Sequence, residues 1–323
     1  MTLPQLNLPQ TIFVVMGGLV VLFAVATVFG GWLSARAVTP VAVIRVGQMN
    51  SRLRAGWTII LLFALAFALG NVAVAIVFAI ASFFALREFV ALTPIKPGDH
   101  WALVLAFYVV IPLQYVLVAG GSRAMFTVFI PVYVFLTLPV LMALRQNVEH
   151  YLQRIAKVQW GLMITVYCVS LAPAIAALEP PGYEGRGALL LLFFLLVVQM
   201  ADLFGVIFSA TLRGTHLRSN RIKTREGVLA GNIVATLVGT LLWWMTPFDW
   251  WQALLISAAT VTAGFMGGLV LASVKQSMGA VDLGANINGA APVPLSRGVL
   301  ERLAALSFAA PVFFHLTLYF FMP

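Results

Sequence analysis

The stretch "ALLLLFFLLVVQMADLFGVIF", Ala188 to Phe208, decides the fold. Apart from Gln199, Asp202 and Gly205 every residue in it is apolar. About 20 such residues in an α-helix cross the hydrocarbon core of a bilayer. Similar runs recur from one end of the 323-residue chain to the other, with 62% hydrophobic residues and 9% charged. The mean hydropathy is +1.02. The runs are rich in Leu, Ala, Met and Phe and lack the short alternating pattern of a barrel strand. The fold class is therefore all-α: a polytopic integral membrane protein with about 9–10 transmembrane helices and its site loops on the cytoplasmic side.

Ten spans are expected, at Thr11 to Leu33, Trp57 to Leu69, Val72 to Leu86, Trp101 to Ala119, Met125 to Leu144, Val158 to Leu178, Ala188 to Phe208, Val228 to Met245, Ala253 to Ala272 and Leu303 to Met322. Only Gly70 and Asn71 separate the second from the third, which read as a hairpin or one bent segment. No soluble domain or internal repeat is evident, so one membrane domain is expected. Residues 11–180 form its N-terminal helices and 188–322 the region with most of the chemistry. The opening "MTLPQLNLPQ" has no positive charge, so the first run reads as a spanning helix, not a cleaved signal. The lone Cys168 lies in an apolar run, which excludes an intrachain disulfide and argues against thiolate catalysis.

Lys and Arg accumulate in cytoplasmic loops. With the N-terminus outside, 17 of the 19 fall inside and only Arg123 and Arg186 outside. Five of them crowd into "LRGTHLRSNRIKTREG", Leu212 to Gly227: Arg213, Arg218, Arg221, Lys223 and Arg225, closed by Glu226. Such a segment is either a basic loop at an anionic surface or a phosphate site.

The ten acids can be weighed singly. Glu179 and Glu184 read as solvated loop residues, as do Asp99 and Glu149. Asp249 sits in a tryptophan-rich turn, and Glu88 follows Arg87 at a helix end, where local ion pairing is expected. Asp202 differs, being flanked by apolar residues with no adjacent base; a carboxylate there needs a partner, a metal or a proton. The last inside segment, "SVKQSMGAVDLGANINGAAPVPLSRGVLERLAAL", combines Lys275, Asp282, Arg297, Glu301 and Arg302 with four glycines, Gly279, Gly284, Gly289 and Gly298. Carboxylates suit Mg²⁺, Lys and Arg suit phosphate, and glycine allows close backbone approach. Positive-inside bias with a small-residue re-entrant loop is the plain alternative.

The order of these features resembles the CDP-diacylglycerol synthase (phosphatidate cytidylyltransferase) family, most closely from Gln199 to Phe321. "KTREG" (Lys223 to Gly227) is similar to the family's Lys-Thr-x-Glu-Gly element. "ASVKQ" (Ala272 to Gln276), "VDLG" (Val281 to Gly284) and "RGVLERLAAL" (Arg297 to Leu306) resemble the three pieces of its C-terminal signature. "SRLRAGW" and "FAAPVFFHLTLYFF" are similar to its early and last segments. Departures cluster in the signature. Ala272 replaces Ser, Gln276 replaces Arg, Val281 replaces Lys, Glu301 and Ala304 stand where the family has Asp, and "AAPVPL" at 290–295 is an insertion.

The resemblance implies transfer of CMP from CTP to phosphatidic acid, giving CDP-diacylglycerol and pyrophosphate. It implies Asp282, Lys275, Lys223 and Glu301 as catalytic residues, and Asp282, Glu301 and Asp202 as ligands of Mg²⁺ or another divalent cation. Arg302, Thr224, Glu226, Arg213, Arg218 and Arg221 would bind or attract substrate. The partners implied are CTP, phosphatidate or a related anionic lipid, and the membrane, with no nucleic acid and a homodimer left open. The family branch and cysteine usage suggest a bacterial inner membrane. A non-catalytic or altered-substrate relative that binds anionic lipid or nucleotide is the alternative. A transporter is supported only by span number and glycine-broken segments.

Overall fold

A computed structural model describes residues 8–36, 69–92, 100–144, 150–212, 214–217, 220–277 and 298–322, with the isolated positions 47, 50, 57 and 64. The described elements are α1 (Leu8–Arg36), α2 (Asn71–Ala91), α3 (His100–Ala119), α4 (Arg123–Ala143), α5 (Tyr151–Ile175), α6 (Gly187–Thr211), the strands β1 (His216–Leu217) and β2 (Asn220–Thr224), α7 (Arg225–Leu241), α8 (Trp250–Ser277) and α9 (Val299–Phe321). Among the described residues seven helices, α2 to α6, α8 and α9, are long and apolar enough to cross a membrane. α1 and α7 occupy the first and eighth expected runs. Most of the second expected span, 57–69, lies outside the described residues.

The chain forms two compact units, Met1–Val77 and Phe78–Pro323. In the first, α1 is tied to the chain that follows it. Trp57 Nε1 donates to Thr27 Oγ1 at 3.0 Å and Asn50 Nδ2 to Ser34 Oγ at 2.8 Å.

In the second unit, α5 and α6 are the helices most enclosed by protein. Phe193 and Phe194 of α6 meet Phe313 of α9, with ring centroids 6.1 and 5.2 Å apart, and Phe248 stacks against Phe321 at 4.6 Å. Three spans contain a π turn, at Ala106–Val110, Phe129–Val134 and Met163–Tyr167. Prolines in these helices remove backbone donors, and in hydrocarbon the freed carbonyls must be satisfied by neighbours. Pro139 leaves Phe135 O, four residues back, without its helical donor, and Gln159 Nε2 of α5 donates to it at 2.8 Å. Likewise Gln114 Nε2 of α3 reaches Phe126 O at 3.0 Å, five residues before Pro131 in the π-turn region.

The two ends of this unit differ. At one, Arg123 Nη1 is 4.0 Å from Met322 Sδ, the Tyr183 hydroxyl donates to Met245 O, and Gly182 N–H donates to Glu184 at 2.9 Å. This end carries Arg123 and Arg186, the two bases assigned by loop charge to the sparse side, and Asp249, just before α8. At the other lie Glu88, Lys223, Lys275, Glu301 and Arg302.

Gln159→Leu should lower stability in detergent by about 1–3 kcal/mol, because it strands Phe135 O. In a Pro139→Ala background, where a helical N–H is restored, the same change should cost less than about 0.5 kcal/mol; a double-mutant cycle of denaturant unfolding measures the difference.

Candidate functional site

Asp202 lies on α6, within the last turns before Thr211. Beyond that helix the chain turns back through an antiparallel hairpin, with His216 opposite Thr224 and Leu217 opposite Asn220. Thr224 ends the hairpin and starts α7. Its backbone is extended (φ −100°, ψ 154°) and its hydroxyl accepts from Gly227 N at 3.1 Å, an N-cap that satisfies a first-turn donor. Its own N–H donates to Ser209 Oγ of α6 at 2.9 Å, and that hydroxyl donates to Gly205 O at 2.6 Å. Thr224 is buried.

Glycine is required at two positions on α7. A Cβ on Gly227 would lie 2.5 Å from Ser209 Cα, and one on Gly231, a turn later, 2.6 Å from Gly205 Cα. α7 therefore begins in backbone contact with α6, and the residue before its cap is delivered to that helix. Lys223 Nζ meets Asp202 Oδ1 at 2.6 Å. The carboxylate that lacked a base in sequence has one in space.

Glu226 fastens the other side of the hairpin. It accepts from Thr215 N at 2.9 Å and Thr215 Oγ1 at 3.2 Å, Arg225 N donates to Thr215 O at 3.0 Å, and Gly214 leaves room for the carboxylate. The Lys-Thr-x-Glu-Gly pattern thus has a local reason for each member: a paired lysine, a helix cap, a loop clasp and a close contact.

The second pair joins α8 and α9. Lys275 in the last turn of α8 meets Glu301 in the first turn of α9, Nζ to Oε2 3.1 Å, both partly buried. A base at a helix C-terminus and an acid at an N-terminus each also complement the local helix dipole. α8 and α9 approach closely where Gly267 faces Ala304 and Phe308. Arg302 is exposed in the same turn as Glu301.

Glu88 departs from the expected pairing with Arg87. Its two carboxylate oxygens accept the N–H groups of Val299 and Leu300 at 2.8 and 2.9 Å, capping α9 more than 200 residues away in sequence. The signal available was at the far end: α9 begins after Gly298, which has no side chain with which to cap it. Ser209 and the Gly205–Gly231 contact were also missed, and a lone Ser or Gly in an apolar run carries no sequence mark of its partner.

Of the residues singled out in sequence, Lys223, Asp202, Lys275, Glu301 and Arg302 are placed at one end of the unit, with Thr224 and Glu226 holding the hairpin. Asp282, Arg213 and Arg218 lie outside the described residues, as does the 290–295 insertion; Arg221 is in β2, its side chain likewise outside them. Among the described residues no three His, Cys, Asp or Glu gather as a metal-holding group. The carboxylates Asp202 and Glu301 have the hard oxygen donors that suit Mg²⁺, but each faces a lysine.

The model of the cytidylyltransferase family matches residues 50–320. The chain belongs to the cytidylyltransferase family. An uncharacterized Escherichia coli (strain K12) protein, YnbB, is 30% identical over 279 residues, covering 84% of this chain and 88% of that protein. Family membership and the seven long apolar helices make this a membrane-embedded protein of the CTP-using nucleotidyltransferase class. For a cytidylyltransferase, one feature stands out: Ala304, where the resemblance expects Asp, is buried against Ala85, Phe89, Leu271 and Leu300. An acid there would face an apolar cluster.

The Glu226 carboxyl is held below its ordinary value chiefly by its own backbone N–H; desolvation opposes this, and the Thr215 hydroxyl, the Thr215 N–H and Arg225 add smaller lowering contributions. A depressed folded-state value means that the clasp contributes fully above the unfolded-state value and is lost as pH falls through the folded one. Amide protection at Thr215 should therefore hold from neutral pH down to the ordinary carboxylate range and collapse below it. Glu226→Gln should abolish that pH dependence in hydrogen-exchange measurements.

Proposed function

We propose that this cytidylyltransferase transfers CMP from CTP to phosphatidic acid, yielding CDP-diacylglycerol for phospholipid synthesis, at a site on the cytoplasmic face of a bacterial inner membrane. The observation that supports this reading is the placement of two lysine–carboxylate pairs, Lys223–Asp202 and Lys275–Glu301, at the same base-rich end of one helical unit. A phosphatidate oxygen attacks the α-phosphorus of CTP, and the bond to the β-phosphate breaks with its electrons leaving on pyrophosphate. Phosphatidate is already ionised, so no general base is needed. Such transfers depend on positioning and on neutralising anionic oxygens. Lys223 and Lys275 would exchange a carboxylate for a phosphate oxygen when CTP binds, while Arg302 and the arginines of the hairpin segment concentrate anions at the membrane edge.

Mg²⁺ belongs to this proposal, with Asp282, Glu301 and Asp202 as its carboxylate ligands; it would neutralise the triphosphate. Asp202 and Glu301 are each held by a lysine and would have to exchange that partner for the ion. A second reading, an altered acceptor or a non-catalytic relative, is favoured by the buried Ala304, which removes an acid that the resemblance would place near Glu301.

Pyrophosphate release from CTP with phosphatidate in detergent separates these readings. Lys223→Ala, Lys275→Ala and Asp282→Asn should each lower turnover by about 100-fold or more, the scale of losing one preorganised charge contact. Glu184→Gln, at the opposite end, should leave it unchanged. Equal activity in all four variants would remove the site assignment, and no release by the unmodified protein would favour the second reading.

A further inference from the structure

We propose that Glu88 is a positioning residue of the transfer site, setting the first turn of α9 and thereby the place of Glu301 opposite Lys275. Its catalytic consequence rests on the transfer reading above; its structural one rests on geometry alone.

The first N–H groups of an α-helix have no intrahelical acceptor. In α9 two of them, at Val299 and Leu300, are taken by the two oxygens of a single carboxylate at 2.8 and 2.9 Å. Gly298, the N-cap position, offers no side chain, and a Cβ there would strike Glu88. The clamp is reinforced by an apolar corner in which Ala85 and Phe89 of α2, Leu271 of α8, and Leu300 and Ala304 of α9 pack together, flanked by Val274 and Val299. Val274 adjoins Lys275, and Leu300 adjoins Glu301. The polar pair therefore sits at the rim of a three-helix junction whose register the bidentate contact sets.

A second consequence concerns anion binding. The N-terminal end of a helix ordinarily attracts phosphate. Here Glu88 occupies it, so the α9 terminus is withheld from the nucleotide and the lysines must carry phosphate recognition. Arg87, next to Glu88 in sequence, is exposed on α2 and takes no part in the clamp.

The test compares full-length protein with Glu88→Gln, Glu88→Asp and Arg87→Gln, using amine acylation of Lys275 and Lys223 read by mass spectrometry alongside pyrophosphate release. Glu88→Gln should raise Lys275 labelling several-fold and leave Lys223 unchanged, since that lysine is held by a different pair. It should lower kcat by about 10- to 100-fold with KM for CTP within about twofold, as expected of a misplaced but still bound substrate. Glu88→Asp should recover part of both effects, and Arg87→Gln should show neither. Unchanged Lys275 labelling in Glu88→Gln would overturn the proposal. So would equal rises at both lysines in Glu88→Gln and Glu88→Asp alike, the mark of a cap that serves only fold stability. If the unmodified protein releases no pyrophosphate, the transfer reading fails, while the contrast between the two lysines still decides the positioning role.

Discussion

A carboxylate set among apolar residues near the membrane edge needs a counter-charge, because transfer out of water disfavours the ionised form strongly. Asp202 is such a group, roughly 14 Å along the helix axis from the end of α6 at the usual 1.5 Å rise per residue. Lys223 meets it only because the chain doubles back after α6. The antiparallel hairpin, the Ser209 tether at 2.9 Å and the Thr224 cap at 3.1 Å all serve that return path. Gly205, Gly227 and Gly231 then let α7 lie against α6 closely enough for the pair to form.

The pair on α8 and α9 repeats the chemistry in a different way. Lys275 and Glu301 need no hairpin, since antiparallel helices bring the end of one beside the start of the next. What they need is a fixed start for α9, and the chain supplies it from α2 through Glu88. The polar end of the unit is thus assembled from five separate elements, α2, α6, β2, α8 and α9, on a body whose interior is apolar and whose opposite end carries few charges. Acids are scarce in this protein, and three of them, Asp202, Glu301 and Glu88, are committed to holding this end together.

Much of this was legible from the amino acids. The long apolar runs specify spanning helices through the bilayer thickness alone, and nine of the ten expected runs coincide with described helices. Asp202 announced its need for a partner, and the charge bias of loops separated the two ends. Other features were not legible, for physical reasons. A side chain from a neighbouring helix satisfies a carbonyl freed by proline, as Gln114 does for Phe126 ahead of the Pro131 π turn and Gln159 does for Phe135 ahead of Pro139, and periodicity carries no trace of that. Glu88 looked locally paired because Arg87 adjoins it, whereas two unsatisfied N–H groups over 200 residues away attract it more strongly. Thr224 and Glu226, which the resemblance assigns to substrate binding, also have backbone roles that the motif does not spell out: Thr224 caps a helix and Glu226 clasps a loop.

The most direct test of the account follows the label from CTP carrying a radioactive α-phosphorus, incubated with phosphatidate and the purified protein in detergent. Cytidylyl transfer to lipid predicts that the label moves into the organic-extractable fraction in proportion to the pyrophosphate released. Label that stays wholly in the aqueous phase, with phosphatidate present and the protein folded, would contradict it.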